Sequence, residues 1–253
     1  MKVTFLGTGT SQGVPMIACD CEVCTSTNSK DKRLRSSILV EVNDQTIIVD
    51  TGPDFRYQML RAQVKKLDAV VFTHEHKDHV AGLDDVRGFN YIMKKSMQIY
   101  ATENVQTALK RDFHYAFGAN KYPGVPQLEL NTITSEPFHI EDLEMIPIQL
   151  KHYKMDVFGY RIGKFAYITD ANYIAESEMK KLEGLEVLVI NALQKTNHIS
   201  HFTLEEALDV IGRLKPKKAY LTHISHRMGK HEDVSKELPE NVELAYDGLV
   251  VEV

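Results

Sequence analysis

Seven consecutive residues, Thr73-His74-Glu75-His76-Lys77-Asp78-His79, gather three imidazoles and two carboxylates directly after the apolar run Ala69 to Phe72. Side chains two apart on extended backbone face the same side, so His74 and His76 point together. Asp78 and His79 fall where a helix should begin. Burying so many polar groups is costly without a partner. Nitrogen and oxygen donors of this kind suit Zn²⁺, Mn²⁺ or Fe²⁺. The plainer reading is a solvated loop with Asp78 as a helix N-cap. A second cluster, Cys19-x-Cys21-x-x-Cys24, crowds an odd number of thiols into six residues, which suits metal binding better than a disulfide framework. Three thiolates still need a fourth ligand to close a tetrahedral zinc site.

The chain holds 11 histidines, and beyond the first triplet they gather again, His198 near His201 and His223 near His226. The elements that must position them are legible in the apolar patterning. Strands are expected at Val3 to Leu6, Ser37 to Val42, Gln45 to Val49 and Ala69 to Phe72. Asn43-Asp44 joins the middle pair as a hairpin. Later strands are expected at Leu143 to Leu150, Val157 to Ile162, Phe165 to Thr169, Val187 to Ile190 and Ala219 to Thr222. Helical patterning covers Phe55 to Val64, Ala81 to Met93 and Thr203 to Leu214. The last has Thr203 and Glu206 as a capping box, stops at Pro216, and lines one face with Leu204, Ala207, Leu208 and Ile211.

Four strands run straight into a ligand type. Ile47-Ile48-Val49 leads to Asp50, Val70-Val71-Phe72 to His74, Ala166-Tyr167-Ile168 to Asp170, and Ala219-Tyr220-Leu221 to His223. Three of them arrive through a threonine, Thr73, Thr169 or Thr222. Rigid strands deliver loop residues to the carboxyl edge of a sheet, so the pattern predicts one shared metal site in an α/β architecture.

Composition narrows the class. With 43% hydrophobic and 26% charged residues the chain is globular, and no run nears the ~20 apolar residues of a membrane span. The opening segment meets Gly7 and Gly9 too early for the apolar centre of a signal peptide, so a cytoplasmic setting is expected. A net charge of -5 speaks against a dedicated nucleic-acid binder and leaves a local positive groove open. No linker or low-complexity tract divides residues 1–253, so a single domain is expected. Gly7-Thr8-Gly9-Thr10-Ser11-Gln12-Gly13 fails as a dinucleotide fingerprint, because Gln12 stands at the third glycine position and Pro15 disrupts a following helix.

His74-x-His76-x-Asp78-His79 resembles the signature of the metallo-β-lactamase superfamily. Four further segments look like that superfamily's other motifs, in order along the chain. They are Ile47 to Gly52, whose Asp50 would orient the metal loop, and the segments around His152, Asp170 and His223. The resemblance implies an αββα sandwich, two mixed β-sheets flanked by helices. It also implies that His74, His76 and His152 hold one metal and Asp78, His79 and His223 the other, with Asp170 bridging. A hydroxide between the two ions, Zn²⁺, Mn²⁺ or Fe²⁺, would be the nucleophile. Each assignment has a plainer rival: His152 as a surface residue, Asp170 as cap of the Ala171-Asn172 turn, Asp50 as the start of the Thr51-Gly52-Pro53-Asp54 turn.

The early cysteine loop resembles that of the PhnP-like phosphodiesterases, enzymes that open cyclic phosphates. There, three cysteines and a histidine near the last motif hold a structural Zn²⁺. That histidine maps onto His226, with His231 as the alternative; a reduced thiol cluster without metal is the plainer reading. Asp54-Phe55-Arg56 and Tyr122-Pro123-Gly124-Val125-Pro126 also look like that group. In it, and in related tRNA 3′-processing nucleases, a histidine before the late helix acts near the leaving group. The match falls on His201 rather than His198, with Asp78 sharing the charge work, while a polar helix-start residue is the rival role. Phe113, Tyr115, Phe117 and Tyr122 are either core or an aromatic wall over the substrate.

The implied function is metal-dependent hydrolysis of small, cyclic phosphodiesters. Rivals are a tRNA 3′-processing-type endonuclease and a thioesterase or lactonase. A redox di-iron protein is another, for which 253 residues leave no room for a flavin module. From a different class comes a non-catalytic metal-binding regulatory protein. The expected partner is a small phosphodiester, without membrane and without nucleic acid by preference; a homodimer is compatible.

Overall fold

In the computed structural model, which describes residues 1–118 and 122–253, the apolar runs pair into two mixed β-sheets. The first is built from β1 (Lys2–Gly7), β2 (Ser37–Val42), β3 (Gln45–Val49), β4 (Ala69–Val71), β5 (Met97–Ala101) and β6 (Leu128–Thr132), neighbours in sequence order. β1 to β3 run antiparallel and β3 to β6 parallel. The β2–β3 hairpin turns at Asn43 and Asp44, both at positive φ as a two-residue hairpin demands. The second sheet takes β7 (Phe138–Ile140), β8 (Leu143–His152), β9 (Met155–Ile162), β10 (Phe165–Ile168), β11 (Tyr173–Ile174), β12 (Val187–Asn191), β13 (Lys218–Thr222) and β14 (Val242–Leu244). Their order is β11-β8-β9-β10-β12-β13-β14, with β7 on β8. β15 (Val250–Glu252) returns to the first sheet beside β1.

Strand periodicity explains the layers. Ile47 and Val49 pack into the same cluster as Tyr160, Tyr167 and Val189, which lies between the sheets. Ile48, one residue out of phase, packs outward with Val70, Phe55 and Leu109. Leu188 and Ile190 likewise face out, against Leu204, Ala207 and Ile211. Consecutive apolar residues are thus buried on opposite faces, as in sheets covered on both sides. The architecture is the αββα sandwich.

The helices are α1 (Phe55–Arg61), α2 (Lys77–Val80), α3 (Arg87–Met93), α4 (Glu103–Asp112), α5 (His114–Phe117), α6 (Glu176–Lys181), α7 (Leu204–Leu214) and α8 (His231–Ser235). Among the described residues no helix is long and apolar enough to cross a membrane. α7 carries the expected Thr203–Glu206 capping box, and Leu208 joins its buried face in part. Two helical expectations need correction. α1 stops before Val64, because Gln63 takes φ 53°. Residues 81–93 are not one helix: a 3₁₀ turn at Leu83–Val86 precedes α3. The break lies at Gly82, whose N–H donates to the Thr51 carbonyl at 2.8 Å. A Cβ at Gly82 would overlap the Gly52 carbonyl oxygen, and one at Gly52 that of Asp78. Two glycines in contact seat the α2 loop on the Asp50 turn.

Candidate metal centre

Asp50, Asp170 and His223 each stand within two residues of a strand end and take left-handed backbone conformations, at φ 66°, 55° and 55°. Such a conformation costs an L-residue about 1–2 kcal/mol and persists only where surrounding contacts hold it. These contacts are dense. The fully buried Asp50 carboxylate accepts from the Thr73 backbone N–H at 2.9 Å and from Thr73 Oγ1 at 2.8 Å, and meets His79 Nδ1 at 2.7 Å. Thr73 Oγ1 in turn lies 3.0 Å from His74 Nδ1. His152 Nδ1 donates to the Ser200 carbonyl at 2.8 Å. Each ring is oriented through one nitrogen, which leaves the other for a different partner.

That partner is not a protein group. His74 Nε2 and His79 Nε2 are buried and make no hydrogen bond. Yet His79 Nε2 lies 3.1 Å from Asp170 Oδ2 and 3.2 Å from Asp78 Oδ2. Donor atoms of His74, His76 and His152 lie within 4.8 Å of one another, as do those of Asp78, Asp170 and His223, and those of His74, His79 and Asp170. Buried lone pairs that share carboxylates but lack donors are what divalent cations satisfy. The residues fit such ions, and the His/Asp cluster is a metal site in its chemistry.

Electrostatics point the same way. Burial, then neighbouring His79, push the His74 imidazole well below its ordinary range, so it is neutral. Burial also opposes charge on His79, but the carboxylates of Asp170, Asp50 and Asp78 together hold it well above that range. Burial raises Asp170 too, and His223 and His79 outweigh it, so the carboxylate stays ionised. A cluster that keeps a proton on a wholly buried imidazole has a deficit of positive charge, which a metal ion answers more fully.

The plainer rivals fail on geometry. Asp170 does not cap its turn, since the Ala171 N–H donates to Asn191 Oδ1 at 2.8 Å. His152 is only 8% exposed. His201 is not the helix cap, a role Thr203 holds. Its ring lies 4.6 Å from that of His152 and 4.8 Å from that of His223. Its Nδ1 is buried without a partner, 3.8 Å from Asp170 Oδ1. Exposed His198 stands outside it, with ring centroids 5.1 Å apart. Sequence reading missed Thr10 and Ser36, whose hydroxyls flank His223 Nε2 and Nδ1 at 3.3 and 3.2 Å. Thr169 Oγ1 donates to Asp170 Oδ2 at 2.7 Å, a role its place before the ligand hinted at. The four aromatics do not form one wall: Phe113 and Phe117 pack in the outer core, Tyr115 donates to Asp84 at 2.5 Å, and Tyr122 is 78% exposed.

The cysteine loop lies across the molecule from its fourth donor in sequence but not in space. Cys19 and Cys21 sulfurs each lie 3.3 Å from His226 Nδ1, and all four donors of Cys19, Cys21, Cys24 and His226 fall within 4.8 Å. The Cys24 backbone N–H and the His226 ring draw the Cys21 thiol down to about 6, while burial pushes Cys24 up to about 11. This donor set suits a closed tetrahedral zinc site.

His231 is excluded from that site. Its Nδ1 lies 3.2 Å from Arg33 Nη2, and its backbone N–H donates to Asp31 Oδ1 at 2.8 Å. Burial, then the Arg33 and Lys30 charges, lower its imidazole from 6.5 to about 4. Between those values the unfolded chain takes up a proton that the folded chain refuses. Folded stability therefore holds above pH 6.5 and declines as pH falls toward 4. His231→Asn is expected to flatten that part of the curve of thermal midpoint against pH; an unchanged slope would assign the loss to other groups.

Comparison with known proteins agrees with this geometry. A model described as "Beta-lactamase superfamily domain" matches residues 45–224. The chain is 40% identical to a crystal structure described as a new diphosphatase from the PhnP family, at TM-score 0.93, covering 99% of this chain and 96% of that one. It is also 40% identical over 252 residues to the octanoyltransferase of Porphyromonas gingivalis, covering 98% of this chain but 51% of that protein. This chain thus spans about half the length of that relative. Ribonuclease Z of Listeria welshimeri is 24% identical over 323 positions, covering 100% of this chain and 99% of that protein. With its two-sheet sandwich and strand-end histidines and aspartates, the chain belongs to the metallo-β-lactamase superfamily.

Proposed function

We propose that the chain is a metal-dependent phosphodiesterase acting on small, cyclic phosphodiesters. The observation that carries the reading is the meeting of three donor groups, His74 with His79, Asp78 with His223, and His152 with His201, at one buried carboxylate, Asp170. His74, His76 and His152 would hold one divalent ion, Zn²⁺, Mn²⁺ or Fe²⁺, and Asp78, His79 and His223 the other, with Asp170 shared. Such a pair supplies an activated water and the charge that stabilises both attacking and departing oxygens. Asp50 and Thr73 engage the His79 and His74 rings through Nδ1, which would turn Nε2 toward a bound metal. His201 reaches the same centre and would donate an N–H to the departing oxygen, with Asp78 sharing the charge work. Cys19, Cys21, Cys24 and His226 would hold a structural zinc. Similarity to a PhnP-family diphosphatase supports phosphorus as the electrophile.

The ribonuclease Z alignment spans 323 positions against 253 residues here, so that relative carries inserted segments this chain lacks, and an RNA endonuclease is the weaker reading. Assays of the metal-loaded chain on bis-p-nitrophenyl phosphate, a cyclic nucleotide and an octanoyl thioester decide among the hydrolytic readings. Turnover of the thioester alone would overturn the phosphodiester assignment.

The role of His201 has its own signature. Assistance by a positioned proton donor is worth about 10²–10⁴-fold. His201→Ala is expected to lower kcat within that range for a poor leaving group such as a ribose hydroxyl, and far less for p-nitrophenolate. Equal losses on both would remove the leaving-group role.

A further inference from the structure

Asp247 lies between β14 and β15, away from every segment that supplies the metal cluster, yet its side chain is only 6% exposed. One carboxylate oxygen accepts from the Thr8 backbone N–H at 2.9 Å and from Thr8 Oγ1 at 2.8 Å. The other accepts from the Leu34 backbone N–H at 2.8 Å, with Arg61 Nη1 3.3 Å away. Buried Arg33 donates to Thr8 Oγ1 at 2.8 Å and to the Ala245 carbonyl at 2.6 Å. One acid thus clamps the residues after β1 to those before β2. All of its partners are donors, which suits an ionised carboxylate, a group that only accepts.

The clamp continues to His223. The Gly9 N–H donates to the Leu34 carbonyl at 2.7 Å, and Ser36 returns both its backbone N–H and its hydroxyl to the Gly9 carbonyl at 3.0 Å. On the opposite side the Ile224 N–H donates to the Thr8 carbonyl at 2.8 Å, and the Thr10 N–H to the Ile224 carbonyl at 3.1 Å. Thr8-Gly9-Thr10 is therefore a strip laid between residues 34–36 and the His223 loop. A Cβ at Gly9 would stand 2.9 Å from the Arg33 carbonyl oxygen, so the approach depends on glycine. The strip ends at the cluster, with Thr10 Oγ1 3.3 Å from His223 Nε2 and Ser36 Oγ 3.2 Å from His223 Nδ1.

We infer that Asp247 is a positioning residue for the metal centre: acting through Thr8, it holds the Thr10 and Ser36 hydroxyls against His223 and so sets the affinity for the ion that His223 would hold. His223 as a metal ligand belongs to the reading above, on which this rests. Hydroxyls orient a ring only as well as their own backbone is fixed, and outer partners of a ligand govern metal affinity. Here that backbone is fixed by one acid from the far end of the chain.

The test titrates the metal-free chain with Co²⁺, whose absorption separates a thiolate-bound ion from ions on nitrogen and oxygen. His223→Ala identifies the equivalent that depends on His223. Asp247→Asn keeps the shape but turns an amide NH₂ toward Thr8 or Leu34, donor against donor. It is expected to weaken that one equivalent by about 10–100-fold, the weight of an outer partner, and to leave the others unchanged. Thr10→Val should weaken the same equivalent. In the double variant the loss should fall short of the product of the single losses, because one residue acts through the other. Thr8→Val, which removes one bond and keeps the carboxylate, is expected to act in the same direction and replaces Asp247→Asn if that variant does not fold. A lower thermal midpoint with cobalt affinity intact, or equal weakening of every equivalent, makes Asp247 merely structural and overturns the inference. So does a double-variant loss equal to the product. In each of those cases the metal reading stands. If His223→Ala keeps every equivalent, the assignment of His223 fails first, and the inference with it.

Discussion

Asp170→Ala is expected to strip metal from the His/Asp cluster and to lower phosphodiester turnover by more than about a hundredfold, since outer partners of a metal ligand alone are worth 10–100-fold. The carboxylate is 2% exposed and sits among three imidazoles, 3.1 Å from His79 Nε2, 3.2 Å from His223 Nδ1 and 3.8 Å from His201 Nδ1. Alanine removes the carboxylate that the proposed donor sets would share. The fold should survive, because the packing between and outside the sheets involves separate apolar clusters. Alanine at φ 55° carries modest strain that asparagine tolerates better, so Asp170→Asn separates loss of charge from backbone strain. Elemental analysis, circular dichroism and turnover are read together. Two retained metal equivalents with near wild-type turnover would remove Asp170 from its proposed bridging place.

Cys21→Ser should act on stability and zinc rather than on the hydrolytic ions. The loop around it buries only Val14, Val23 and Cys24 as an apolar cluster, with Ile17 90% exposed. So few buried groups cannot offset the cost of ordering the segment, which leaves its hold to the four ligands. A site saturated a thousandfold above its dissociation constant contributes about 4 kcal/mol. At about 2–4 °C per kcal/mol for a chain of this size, the thermal midpoint should fall by about 10 °C. One zinc equivalent should be lost, and proteases should reach the loop. Phosphodiester turnover should persist in part. Full zinc content with an unshifted midpoint, or equal loss of the hydrolytic metals, contradicts a separate structural site.

Much of the centre is legible before folding because its chemistry is local. His74, His76, Asp78 and His79 lie within six residues, and the strand-to-ligand runs ending at Asp50, Asp170 and His223 depend on patterning alone. Helix α7 was likewise readable, since a capping box is a four-residue device. The break at Gly82 was not, because it depends on contact with Gly52, thirty residues earlier.

Sequence by itself therefore determined the donor types, their order and the sheets that carry them, since residue chemistry and period-two alternation act at short range. Tertiary structure alone decided where each donor points and what it meets. It pairs His79 with Asp50 and His152 with Ser200, and it joins the cysteines to His226 instead of His231. It sends Phe113 and Phe117 into the core. Ring orientation and partner choice are set by atoms brought together from distant parts of the chain, and no local spacing encodes such contacts.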